Sequence, residues 1–201
     1  MSIRPALVLT VDQRDSTSGP DLVPGLLGRL APLPTLRPFE RTAGDEAQGL
    51  LDDPAAVVGC LELLIRSGRW YVGLGAGTVE TPLPPTTRAG RGSAYVHARD
   101  AVTAAKSSPY RIRVSGDDAD RARQLETVLW LWAAVLHRRT ERGWEVADLV
   151  EAGSSYEEAG RKLGITQSAV SQRAQAAGIV EGRRARELSI RLVADLLAGG
   201  R

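Results

Sequence analysis

The chain has 201 residues, 43% of them hydrophobic and 25% charged, enough apolar material to core one large domain or two small ones. Its formal net charge is only +2, from 26 basic and 24 acidic residues, which excludes a histone-like polycation. One cysteine and two histidines exclude a disulfide framework within the chain, and also a zinc site built from those two residue types alone.

No apolar run reaches the roughly 18 residues a membrane-spanning helix needs. The opening MSIRPALVLTVDQRD has neither the apolar h-region nor the small-residue cleavage site of a signal peptide. A cytoplasmic protein with no membrane partner is therefore expected. The composition changes near residues 115–118 (SGDD): most prolines and glycines precede this point and no proline follows it. This predicts an α/β domain over 1–116 and an all-helical domain over 119–201.

In the first part, the continuous apolar run at 6–11 (ALVLTV) reads as a buried strand ending on Asp12. A helix at about 21–30 follows, then a loop at 31–38 whose prolines interrupt helix and sheet ladders alike. Residues 38–51 (PFERTAGDEAQGLL) read as a strand, a tight AGDE turn, and a second strand or a helix start. Over 54–67 the helical period turns Val57, Val58, Leu61, Leu64 and Ile65 inward, with Cys60 as a small core residue. Residues 70–78 (WYVGLGAGT) form a strand with Gly73, Gly75 and Gly77 on one face, which lets another backbone or a ligand approach closely. A helix at 92–106 and a strand at 110–114 complete the order βαββαβαβ, an α/β sandwich on a mixed or antiparallel sheet. His97 reads as a packing histidine on that helix.

The second part opens with a long helix at 119–140. Its broad stripe of Leu125, Val128, Leu129, Leu131, Trp132, Val135 and Leu136 predicts packing on both domains or on a second subunit. Trp70, Trp130 and Trp132 read as core or dimer packing, and His137 as a complement to the helix dipole. Three short helices and a longer one at 180–197 follow. One of them, at 145–152, supports the pair that comes next, with Trp144 in the core.

The clearest signal is SSYEEAGRKLGITQSAVSQRAQAAG, residues 154–178. Ser155 and Glu158 have the spacing of a capping box, and Gly164 ends the helix they start. Ile165 plugs the turn, and Thr166 caps a second helix with Val170 and Ala174 inward. Two helices crossing steeply over so short a turn need small residues at the contact, a need met by Ala159 and Gly164. The second helix turns Gln167, Ser168, Ser171, Gln172 and Gln175 outward. Gln can pair with adenine edges, and Arg173 with guanine or phosphate. No acidic residue falls between 160 and 180, and residues 161–191 hold seven bases against two acids. Arg161, Lys162, Arg183 and Arg184 are thus candidate phosphate contacts. The segment resembles the helix-turn-helix of bacterial regulators, which implies a recognition helix over 167–176 within a motif at 155–177, double-stranded DNA as partner, and a homodimer.

Two acidic spots lie at sheet ends in the first part, Asp12 after its strand and Asp45-Glu46 in the AGDE turn. Carboxylates so placed can hold Mg²⁺ against phosphates. VLTVDQRDS, ERTAGDEAQGLL, YVGLGAGTVETPL and AGRGSAYVHARDAV, in that order, resemble the SatD family over about residues 6–106. Its layout is similar to the palm-like domain of nucleotidyl cyclases and GGDEF proteins. That resemblance implies Asp12 and Asp45 as metal ligands and Arg99 as a phosphate-side cation, with Glu46, Gly75 and Gly77 at a ligand. Tyr95 stands where cyclases carry asparagine, which separates ligand binding from catalysis.

The sequence thus predicts a DNA-binding transcription regulator with an N-terminal ligand-sensing or assembly domain. No cofactor is required, although Mg²⁺, a nucleotide or another small molecule could occupy the first domain. The alternatives are a metal-dependent nucleotidyl-transferase or cyclase-like enzyme with a helical targeting domain, and an adaptor whose helical pair binds protein.

Overall fold

In the computed structural model, which describes residues 2–199, the apolar run at 6–11 is the centre of a longer strand, β1 (Ser2–Gln13). All six of those residues are buried, as a strand covered on both faces requires. Met1, Gly200 and Arg201, at the ends of the two expected domains, lie outside the described residues. β1 pairs antiparallel with β3 (Glu46–Leu51) on one side and β4 (Trp70–Thr81) on the other. β2 (Arg37–Ala43) lies outside β3, and β5 (Ile112–Gly116) runs parallel to β4, giving the order β2-β3-β1-β4-β5. The sheet is mixed. The AGDE turn joins two strands, with Gly44 at φ 52°, where a side chain would be strained.

The helices of this region are α1 (Val23–Leu30), α2 (Pro54–Ser67) and α3 (Ser93–Ala105). α2 has local signals at both ends. The Asp53 carboxylate accepts from the Ala56 amide at 2.7 Å, and Gly68 closes the helix in the left-handed region. The predicted inward residues are buried, including Cys60, whose thiol is pushed up to about 12 by burial.

The chain continues as α4 (Ala119–His137), α5 (Glu141–Glu151), α6 (Tyr156–Leu163), α7 (Gln167–Ala176) and α8 (Ile179–Gly199). Two compact units result, but they do not divide where the composition changes. The first joins residues up to 130 with those from 188 onward; the second is 131–187. The reason lies at the edge strand. The buried Glu126 carboxylate of α4 accepts from the Val114 amide at 2.9 Å and from Arg113 at 3.3 Å, while Trp130 Nε1 donates to the Ile112 carbonyl at 2.9 Å. The first turns of α4 thereby satisfy backbone groups of β5 that an open edge would leave bare. Arg121, donating to the Asp195 carbonyl at 2.8 Å, ties the end of α8 into the same unit. The change at 115–118 marks the end of the sheet.

The second unit is cored by Val146, Ala147, Ala159, Val170, Ala174, Ala177 and Ile179, with Trp144, Leu163 and Ile165 packed around them. Leu131, expected in the apolar stripe of α4, is instead 65% exposed, whereas Trp132 beside it is buried. Among the described residues no helix is long and apolar enough to cross a membrane.

Candidate nucleic-acid interface

α6 begins with both halves of its capping box formed. The Glu158 amide donates to Ser155 Oγ at 3.2 Å, and the Ser155 amide donates to the Glu158 carboxylate at 2.7 Å. Hydrogen bonds to the Glu158 carboxylate from the Ser155 amide and from the Ser155 hydroxyl hold that carboxyl below the usual glutamate range. Gly164, at φ 66°, closes the helix, and after it Ile165 turns into the core. Thr166 Oγ1 then accepts from the Ala169 amide at 3.1 Å and starts α7.

The tight contact in this turn falls on a different glycine from the expected one. A Cβ at Gly160 would stand 2.8 Å from the Ile165 carbonyl oxygen, while one at Gly164 would meet open space. Gly160 lets the turn fold back on α6, Ala159 fills the core, and Gly164 supplies only its left-handed backbone.

α7 buries Val170 and Ala174 and leaves Gln167, Ser168, Ser171, Gln172 and Gln175 exposed, together with Thr166 at its cap. Arg173 is half-buried, on the flank of the helix rather than at the centre of this polar face. Arg161 and Lys162 are exposed in the last turn of α6, beside an open depression of about 590 Å³ that also touches Gly153, Ser154 and Glu158. Lys162 Nζ donates to Ser154 Oγ at 3.0 Å. Arg183 and Arg184 are exposed on α8.

Beneath this surface lies a residue that periodicity did not reveal. The Arg139 side chain is 1% exposed. Its Nε donates to the Ala177 carbonyl at the end of α7 at 2.9 Å, and its guanidinium lies 4.6 Å from the centre of the Trp144 ring. Glu151 is 3.9 Å from Nη1, and a Cβ at Gly182 would collide with the guanidinium. In sequence it is one of two adjacent arginines near the end of the helix expected over 119–140. Only the paired Trp144 and Gly182 carry a trace of it.

The first unit distributes its candidate residues differently from the expectation. Gly73, Gly75 and Gly77 face α3 so closely that a Cβ at Gly75 would strike the Ala94 carbonyl and the Ala98 amide, and one at Gly77 the Ser93 hydroxyl. The glycines admit another backbone, and no space for a ligand remains over Gly75 and Gly77. Asp12 is paired with Lys106 at 3.1 Å. Glu46, its cross-strand neighbour, accepts from Thr42 Oγ1. Asp45 lines a separate depression of about 390 Å³ with Gln13, Ser16, Thr17, Asp21 and Arg41, whose lining does not include Asp12.

Arg99 is exposed on α3. Among the described residues no three of His, Cys, Asp and Glu stand together as metal ligands. Asp12 thus carries a lysine ammonium, while Asp45 stands in a different setting. Polar side chains at the end of β1 and just beyond it bond to the local backbone. Buried Gln13 donates to the Pro20 carbonyl at 2.8 Å and accepts from the Leu22 amide at 2.7 Å, and Arg14 donates to the Gly68 carbonyl at 2.7 Å. His97 likewise has both ring nitrogens engaged, with Ser115 Oγ at 3.1 Å and Asp117 Oδ1 at 2.9 Å.

No family model, no curated protein and no solved structure matches the chain.

Proposed function

We propose that the protein is a sequence-specific duplex-DNA-binding regulator in which α6 and α7 act as a helix-turn-helix and α7 enters the major groove. The observation that carries this reading is α7 itself. It is capped at Thr166 and anchored by two small apolar residues, and its outward face is made of glutamine and serine. A packing hairpin has no need of such a face, whereas amide and hydroxyl side chains match base edges. No acidic residue lies between 160 and 180 to repel phosphates. Gln167, Ser168 and Gln172 read bases, and Arg161, Lys162, Arg183 and Arg184 meet the backbone.

A two-fold dimer sets the spacing of half-sites. Leu131 and Val180, 65% and 60% exposed, lie in the two helices suited to form it. The resemblance of residues 6–106 to SatD proteins supports a sensing or assembly role for the sheet unit. A small polar ligand would sit by Asp45, Gln13 and Arg41 rather than over the buried glycines.

Equilibrium binding to a selected duplex and to a scrambled one tests the reading. Gln172→Ala is expected to weaken the selected complex about tenfold or more, the worth of one good base contact, and to leave the scrambled one unchanged. Asp45→Asn should affect neither. Equal binding of both duplexes by wild type and Gln172→Ala contradicts base reading by α7.

A further inference from the structure

On the flank of α7 a small cavity of about 120 Å³ is lined by Arg138, Thr140, Gly143, Arg173, Ala176 and Ala177. Two guanidinium-bearing residues thus border one hollow, and no carboxylate is among the residues that line it. Neither arginine forms a side-chain hydrogen bond or ion pair among the described residues. Some other cations of the chain are neutralised locally, as Arg4 is by Asp52, Lys106 by Asp12 and Arg113 by Glu126. Two cationic residues bordering one hollow repel each other, and an anion between them would remove that repulsion.

We infer that this cavity is a phosphodiester-binding site, in which Arg138 and Arg173 clamp one backbone phosphate of the DNA. The inference rests on the proposed DNA-binding function and deepens it. The volume is far below the roughly 300 Å³ at which pockets for whole small molecules begin, so it suits a single phosphate group and not a nucleotide. Arg173 is half-buried on the flank of the helix, while Ser168, Gln172 and Gln175 are exposed. A phosphate held at the flank fixes how deeply and at what angle those side chains meet the bases. Arg173 accordingly belongs to the backbone rather than to guanine. Arg138, exposed beyond the end of α4, joins the interface although it lies outside the helical pair.

The test is the salt dependence of binding of the full chain to two labelled duplexes, one selected and one scrambled. Wild type, Arg138→Gln, Arg138→Lys, Arg173→Gln and Gln172→Ala are compared. Each phosphate contact contributes about 0.9 to the slope of log K against log salt. Arg138→Gln and Arg173→Gln are each expected to lower the slope by about one and to weaken both duplexes by the same factor. Arg138→Lys should restore the slope, and Gln172→Ala should leave it unchanged while lowering affinity for the selected duplex alone. A slope in Arg138→Gln equal to that of wild type, with wild type still preferring the selected duplex, overturns the clamp and spares the regulator. Absence of any duplex binding by wild type overturns both.

Discussion

At the scale of single residues, two side chains hold the helical pair in place. Arg139 is buried against the end of α7, where it donates to the Ala177 carbonyl and covers Trp144. Arg139→Met would leave that carbonyl without this donor and lose the ring contact, so a loss of roughly 1–3 kcal/mol is expected in urea unfolding. Wild-type stability in the variant contradicts the assignment. Glu158 acts at the surface through the capping box. Its folded value is depressed from an ordinary 4.5 by hydrogen bonds to Ser155. The stabilisation is therefore complete above the ordinary value and is lost as pH falls through the lowered folded one. Thermal midpoints of wild type and Glu158→Gln should differ at neutral pH and converge in acid. A gap that does not change with pH contradicts a role for the charge.

At the scale of elements, the glycine strand is the place where the sequence admitted two meanings. Alternating glycines announce that something comes close, and only the third dimension shows that α3 does. Gly75→Ala drives a Cβ into the α3 backbone, and such overpacking costs about 1–3 kcal/mol or more. Gly25→Ala, in α1 and with open space around its Cβ, should instead stabilise by up to about 1 kcal/mol through helix propensity. Equal effects of the two in chemical unfolding contradict the packing described. The existence and order of the elements were legible because apolar periods and caps are local. The Ser155 box, the Thr166 cap and the left-handed Gly164 all stand where their spacing places them. The contact glycine of the turn was misplaced, because a close approach at Gly160 depends on the path of the chain at Ile165.

At the scale of the molecule, the limit of sequence reading is the boundary between units. Helical periodicity tells which face of α4 is apolar and not which body it packs on. Glu126 and Trp130 tie its first turns to β5, a role no spacing announces. The candidate site divides the same way. The outward face of α7 could be read from its period, whereas Arg138 and Arg139 needed the fold to separate a charge at the surface from one in the core. The most direct measurement is selection of duplexes from a random library by the full chain, beside Gln172→Ala, at one fixed salt concentration. An enriched inverted repeat that is lost or altered in the variant is the expected result. Absence of enrichment, or the same motif from both proteins, contradicts base reading by α7.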